Sequence, residues 1–306
     1  MNTAATCPGQ DLVRRFADDI VKLHGRLSFR QLPDAIVGDP LYLSEDFGDG
    51  LVTITFSDGQ IPARYMKGVL GFRLAQYLKL GWMSDELVYQ GALYHEPDHP
   101  SARAVRNIHT VTLDADSGRI LGYVGLVCSL DAESLPLDSP QRSRFPTESA
   151  HHVDIISRFA EPGLGSHQVF EIKRFVRDLS MERGEQRIRV PWHLILGLGQ
   201  ATVDLGDRVR ILLGDSKENG ALRHFRLLGM DPVVIDQTSP SLPKSELMWP
   251  SYTQKVLAKP FAAKIPEHLP QVMAFIRASL KGDSDLRSER RLIAQLSGSR
   301  RQSAAA

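Results

Sequence analysis

Residues 168–178, reading QVFEIKRFVRD, limit what this chain can fold into more than any other stretch. Val169, Phe170, Ile172, Phe175 and Val176 give the segment the β-branched and aromatic content of a strand. Glu171, Lys173, Arg174 and Arg177 set four ionisable groups into it. A strand covered on both faces holds such groups only if they pair or meet a ligand, because each unpaired buried charge costs several kcal/mol. The segment is therefore predicted to be a central strand with a working edge.

The surrounding sequence supplies layers for that strand. Residues 11–23 place Leu12, Phe16, Ile20 and Leu23 at helical spacing, and Gly25 follows as a stop. Residues 51–56 (LVTITF) alternate as a strand before the Asp58-Gly59 turn. Residues 63–80 are predicted to be a helix closed by Gly81-Trp82, with Gly68 and Gly71 weakening its first half. Residues 108–114 and 120–127, joined by Asp116-Ser117-Gly118, read as an antiparallel hairpin. Residues 129–153 contain Pro136, Pro140 and Pro146 and are expected to be a long surface excursion.

Beyond the organising strand come a basic loop (179–189), an apolar helix (192–205), a strand (209–213), a short helix (219–228) capped by Gly229, and a strand (232–235). Strand, helix, strand, helix, strand in that order predicts an α/β layered architecture. Residues 237–250 read as a Ser/Pro-rich connection and 265–280 as a last helix. The expected division is an N-terminal extension or lid over 1–62, a main domain over 63–282 and a basic, mobile tail over 283–306.

Composition removes several functions. A formal net charge of +1 gives no global basic field of the kind that draws nucleic acid. Cys7 and Cys128 are the only cysteines, too few for a disulfide scaffold or a cysteine-rich zinc site, and they suit a reducing compartment. No apolar run reaches the roughly 20 residues of a membrane span. Residues 1–10 have neither the basic region nor the apolar core of a secretory signal, so the expected location is the cytoplasm.

Local clusters are weighed against plainer readings. Arg174, Arg177, Arg183, Arg187 and Arg189 surround Gly184 between a strand and a helix. Such a loop can offer backbone N–H groups and guanidinium charge to a phosphate, or can be a solvated basic loop paired with Glu182 and Glu185. Neither a P-loop nor GxGxxG occurs. His151-His152 with Asp154, and His95 with Asp98 and His99, read as surface loops, because adjacent histidines on a strand face opposite ways. No metal site is predicted. Cys128 reads as a buried structural cysteine, and Ser166-His167 lacks a nucleophile elbow.

The order of blocks carries a resemblance. Ile120-Leu-Gly-Tyr-Val-Gly-Leu126, a proline-containing excursion and Phe170-Glu-Ile-Lys-Arg-Phe175 are followed by the 192–205 helix, the 209–213 strand and the short helix ending at Gly229. Phe72-Arg73 and Leu80-Gly81-Trp82 precede them. Over about 71–235 this resembles the acyl-homoserine-lactone (autoinducer) synthase family of the GNAT acyltransferase superfamily. The resemblance implies a GNAT-like fold, a central mixed sheet flanked by helices. It implies N-acyl transfer from a thioester on coenzyme A or an acyl carrier protein to the amine of an amino-acid-like acceptor, in signalling or secondary metabolism. No tightly bound cofactor is implied.

By the same resemblance the thioester arm enters between strands 169–176 and 209–213. Glu171 and Arg174 are the catalytic candidates, with Glu171 removing the amine proton directly or through water. Arg73, Trp82, Lys173 and Phe175 are the substrate-binding candidates. Arg177, Arg183, Arg187 and Arg189 are candidates for the phosphopantetheine or carrier end. Alternation puts Lys173 on the face of Glu171 and Arg174 on the other, which leaves a plain Glu171–Lys173 ion pair open. The family pattern also breaks: Gly125 stands where it has arginine, Lys173 where it has serine, and Asp85, Glu86 and Asp98 replace a clear acidic pair after the tryptophan. Those positions shape an S-adenosylmethionine pocket in the family. A catalytically degenerate binding module, or an S-adenosylmethionine enzyme of different chemistry, therefore stand as alternatives.

Overall fold

The computed structural model describes residues 8–182, 184–217 and 221–282. In chain order its helices are α1 (Pro8–His24), α2 (Ala63–Leu80), α3 (Asp85–Gln90), α4 (Pro146–His151), α5 (Glu185–Leu205), α6 (Ala221–Leu227) and α7 (Leu269–Lys281). Its strands are β1 (Tyr42–Leu43), β2 (Leu51–Ser57), β3 (Ile108–Asp114), β4 (Ile120–Cys128), β5 (Val169–Arg177), β6 (Ile211–Ser216), β7 (Val233–Val234) and β8 (Lys259–Lys264). The strands form one sheet in the order β1-β2-β3-β4-β5-β6-β8-β7. Every neighbouring pair is antiparallel except β5 and β6, which run parallel. The protein is thus α/β with a central mixed sheet and helices on both faces.

Apolar alternation along the strands feeds a core on each side. Phe170, Ile172 and Leu212 face α5, α6 and α7, meeting Leu194, Leu198, Phe225 and Met273. Ile54, Val111, Leu113, Tyr123 and Val176 face α2, with Ile20 of α1 and Val88 of α3 behind. On that second face, further along β5 and β6, Val169, Ile211 and Leu213 are covered by Phe145 from the excursion and by Ile155 and Leu164 just after it. Close approach of α5 to the sheet depends on Gly197. A Cβ there would lie 2.8 Å from the Thr53 methyl and 3.0 Å from that of Thr110.

Three elements differ from the sequence expectations. Residues 51–57, placed in an N-terminal extension, form a strand paired along its whole length with β3, inside the main sheet. The chain also contributes β8, a strand the sequence reading lacked, inserted between β6 and β7. Its run KPFAAK has Pro260, lysines at both ends and no alternation to announce it. Lastly, α5 begins at Glu185 rather than after a loop reaching residue 189, so Arg187 and Arg189 are helical. Among the described residues no helix is long and apolar enough to cross a membrane.

Candidate active site

The site arises where β5 and β6 part. Their parallel ladder has three pairs, Val169↔Ile211, Phe170↔Leu212 and Glu171↔Leu213, and then stops although both strands continue. The cause lies on the other side of β5. Against β4, Gly125 opposes Lys173 and Tyr123 opposes Val176, so Arg174 and Phe175 together face the single residue Val124. This is a β-bulge, and Arg174 takes φ +64° within it. Bulges bend and twist the strand that carries them. Meanwhile β6 keeps its pairing with β8 out to Ser216↔Lys259. One strand bends, its neighbour does not, and a gap opens.

A cavity of ≈ 230 Å³ fills that gap. Phe175, Phe225 and Phe261 line it from the α5–α6 side, and Tyr77, Trp82 and Tyr252 from the α2 side, so the opening passes through the sheet. Lys173, Arg174, Asp215 and Lys217 bring charge to its wall. Trp82, Lys173, Arg174 and Phe175, all named from the sequence, therefore come together here.

The bulge also overturns the expected facing of Arg174. Simple alternation would turn Lys173 and Arg174 to opposite sides. The extra residue instead returns Arg174 to the α2 side, where its guanidinium lies 5.1 Å from the Tyr77 ring centroid and pairs with Glu96. Phe175 is the residue that faces α6, with its ring centroid 5.8 Å from that of His224.

Glu171 does not stand free at the opening. Its side chain is 0 % exposed, the Thr147 hydroxyl donates to it at 2.6 Å, the Thr147 backbone N–H donates at 3.2 Å, and Lys173 closes an ion pair. Both carboxylate oxygens are occupied, and Glu171 is not part of the cavity wall. Burial of a carboxylate demands these partners, and they place the expected proton acceptor behind the cavity wall rather than in it. Arg73 is likewise interior, 2 % exposed. It donates to Glu96 at 2.9 Å and to the Tyr123 hydroxyl at 3.3 Å, and Tyr123 in turn meets His109, which bonds Asp58 at 2.7 Å. The substrate-binding role expected of Arg73 gives way to a structural one. Burial would push the Glu96 carboxyl up, but Arg174 and Arg73 beside it hold it down to about 2.

At the phosphate end the arginines divide. Arg189 is buried and used internally by Asp49, Glu185 and the Leu280 carbonyl, which removes it from the expected set. Arg177 and Arg187 remain at the junction of β5 and α5. Pro191 has no N–H to give the Arg187 carbonyl, its i−4 acceptor, and the Arg177 guanidinium donates there at 3.4 Å instead. Burial and the neighbouring Arg187 charge both work against protonation of Arg177 and lower its pKa. Arg183 lies outside the described residues.

Asp215, His151 and Tyr252 complete the site, and the sequence reading missed them as a group. Asp215 extends from β6 two residues past the last ladder pair, on the face of Leu213. Tyr252 donates to Asp215 Oδ2 at 2.9 Å and His151 Nε2 approaches the same oxygen at 3.3 Å, while His151 Nδ1 meets Thr238 Oγ1 at 2.8 Å. Burial opposes ionisation of Asp215, yet the His151 bond, the Lys173 charge and the Tyr252 hydroxyl keep its pKa below the ordinary value. Burial and that carboxylate push the Tyr252 phenol far up, so it stays protonated. His152 bonds Ser241 and Asp154 pairs with Arg142, so the His151-His152-Asp154 cluster is dispersed among separate partners. Only the strand-end position of Asp215 could have flagged it in the sequence.

No protein-family model matches the chain, and no curated protein sequence matches it. Among solved structures the chain is similar to the AHL synthase LasI, at 11% identity over 70% of this chain and 89% of that one, with a TM-score of 0.42. It is also similar to FeeM, an N-acyl amino acid synthase from uncultured soil microbes, at 11% identity over 72% and 91%, TM-score 0.41. An acetyltransferase of the GNAT family from Staphylococcus aureus Mu50 matches at 9% identity over 70% and 99%, TM-score 0.36.

Proposed function

We propose that the chain is an N-acyltransferase that takes an acyl group from a pantetheine thioester, on coenzyme A or an acyl carrier protein, and places it on an amine. The parting of β5 from β6 after three ladder pairs is the observation that carries this reading. Beyond Glu171, β6 offers β5 no ladder partner, so backbone N–H and C=O groups along one edge of β5 await hydrogen bonds. An extended arm with amide groups of its own satisfies them as a strand would. The arm's phosphate end then falls at Arg177, Arg187 and the N-terminus of the 21-residue α5, where unpaired N–H groups and the helix dipole favour an anion.

The thioester end reaches inward toward Lys173 and Asp215, roughly 13 Å from Arg177 at the rise of a strand. Apolar walls receive the acyl group. A small recess of ≈ 20 Å³ lined by Leu198, Leu212 and Leu228 shares Phe175 and Phe225 with the main cavity and extends its apolar wall.

Titration calorimetry with coenzyme A, pantetheine and S-adenosylmethionine tests the reading. Coenzyme A and pantetheine are expected to bind. Arg177→Ala with Arg187→Ala should weaken coenzyme A by about tenfold, the loss of roughly one charge-assisted hydrogen bond, and leave pantetheine unaffected. Failure of both thiols to bind refutes the proposal. Binding of S-adenosylmethionine alone supports a different chemistry at this site.

A further inference from the structure

An acyl transfer to nitrogen needs a group that takes a proton from the incoming amine, and the described carboxylates near the cleft are not equally placed to do so. Glu171 is sealed by Thr147 and Lys173, and Glu96 is clamped between Arg73 and Arg174. Neither lines the cavity. Asp215 does, and its two protein hydrogen bonds, from Tyr252 and His151, both fall on Oδ2. Among the described residues Oδ1 has no hydrogen-bond partner and no lysine or arginine forms an ion pair with Asp215.

We propose, building on the acyl-transfer reading, that Asp215 is the catalytic base and that its Oδ1 receives the acceptor as a protonated primary amine. Trp82 and Tyr77 also line the cavity and offer aromatic surface to the acceptor's carbon skeleton. None of the described cationic side chains on the cavity wall forms an ion pair with Asp215: Lys173 and Arg174 are held by Glu171 and Glu96, and the Lys217 ammonium lies 5.5 Å from the Trp82 ring centroid. Tyr252 and His151 are positioning residues: they hold Oδ2 so that Oδ1 points at the opening.

The step balances. The ammonium gives a proton to Asp215 Oδ1, and the freed nitrogen lone pair attacks the thioester carbonyl carbon, forming C–N. The adduct collapses with cleavage of C–S, and the sulfur leaves with that electron pair. The remaining ammonium-like N–H proton of the adduct passes to the thiolate, and Asp215 releases its own proton to solvent. The products are an amide, a thiol and one proton.

The groups facing Asp215 and its phenol partner are Lys173, Arg174 and Glu171 from β5, Lys217 just past β6, His151 from α4, Tyr77 from α2 and Tyr252 itself. Thiol release from decanoyl-coenzyme A, with phenethylamine and with L-phenylalanine as acceptors, is the measurement. Asp215→Asn should lower kcat by about 100-fold or more while coenzyme A still binds as tightly as to the unaltered chain. Tyr252→Phe and His151→Gln each remove a group that favours the Asp215 carboxylate, so the acidic limb of the kcat–pH profile should move to higher pH. Full kcat in a folded Asp215→Asn that binds coenzyme A overturns the assignment and leaves the acyl-transfer reading standing. An unaltered chain that binds coenzyme A yet acylates neither amine overturns the acceptor class. Should Asp215→Asn fail to fold by circular dichroism, an unmoved acidic limb in Tyr252→Phe refutes the proposal. Absence of both coenzyme A and pantetheine binding to the unaltered chain removes both ideas together.

Discussion

Arg174 concentrates the tension in this site. An arginine at φ +64° carries a backbone cost on the order of 1–3 kcal/mol, tolerated only where surroundings over-determine it. Here the Glu96 ion pair and the Tyr77 ring supply that constraint. Glu96 also neutralises Arg73, so one carboxylate serves two buried cations. Glu96→Gln should therefore destabilise the protein by about 3–5 kcal/mol, the usual result of leaving a buried charge without its partner. Urea denaturation checks this, and a loss below about 1 kcal/mol would show that solvent reaches the arginines. The sequence named Arg73 and Arg174 but could not join them. Glu96 lies 23 positions from one and 78 from the other, and no spacing rule spans such distances.

At the scale of elements, a mismatch of one residue between β4 and β5 sets the geometry. It turns Arg174 toward α2, bends β5 from β6 and opens the cleft. The charged strand, the hairpin before it and α2 were all legible, because periodic apolar spacing and turn residues reveal them. The bulge was not, since it depends on which residues face each other across two strands. Helix α5 makes a second demand. Replacing Gly197 by valine adds atoms where a Cβ already lies 2.8 Å from the Thr53 methyl. Removing a mid-helix glycine gains under about 1 kcal/mol of propensity, which overpacking of roughly 1–3 kcal/mol exceeds. Gly197→Val should lower stability by about 1–2 kcal/mol on this balance, and a raised thermal midpoint would contradict it.

Across the whole molecule, the buried ion pairs couple folding to pH. The Glu96 carboxyl moves from its ordinary 4.5 to about 2 on folding, and Asp49, held by His193 and Arg189 against the cost of burial, falls from 3.8 to about 2. Groups with depressed folded-state pKa values bind more protons when unfolded, so acid favours unfolding. Stability from these groups is complete above their ordinary values and should drain away as pH falls from about 4.5 toward about 2. Urea midpoints measured through that window check the slope. Glu96→Gln should flatten it, and an unchanged slope would remove Glu96 as a cause.

Local chemistry written along the chain determined which segments become helices and strands, and that one central strand would carry charge needing partners. Those outcomes depend on neighbours three or four residues away in a helix, or two away in a strand. The tertiary structure alone decided that β8 enters the sheet, that Glu171 is sealed by Thr147, and that Asp215, His151 and Tyr252 meet at the opening. His151 and Asp215 lie 64 positions apart, and Tyr252 is 37 beyond Asp215. Contacts at such separations follow from strand order and register, which no single segment contains.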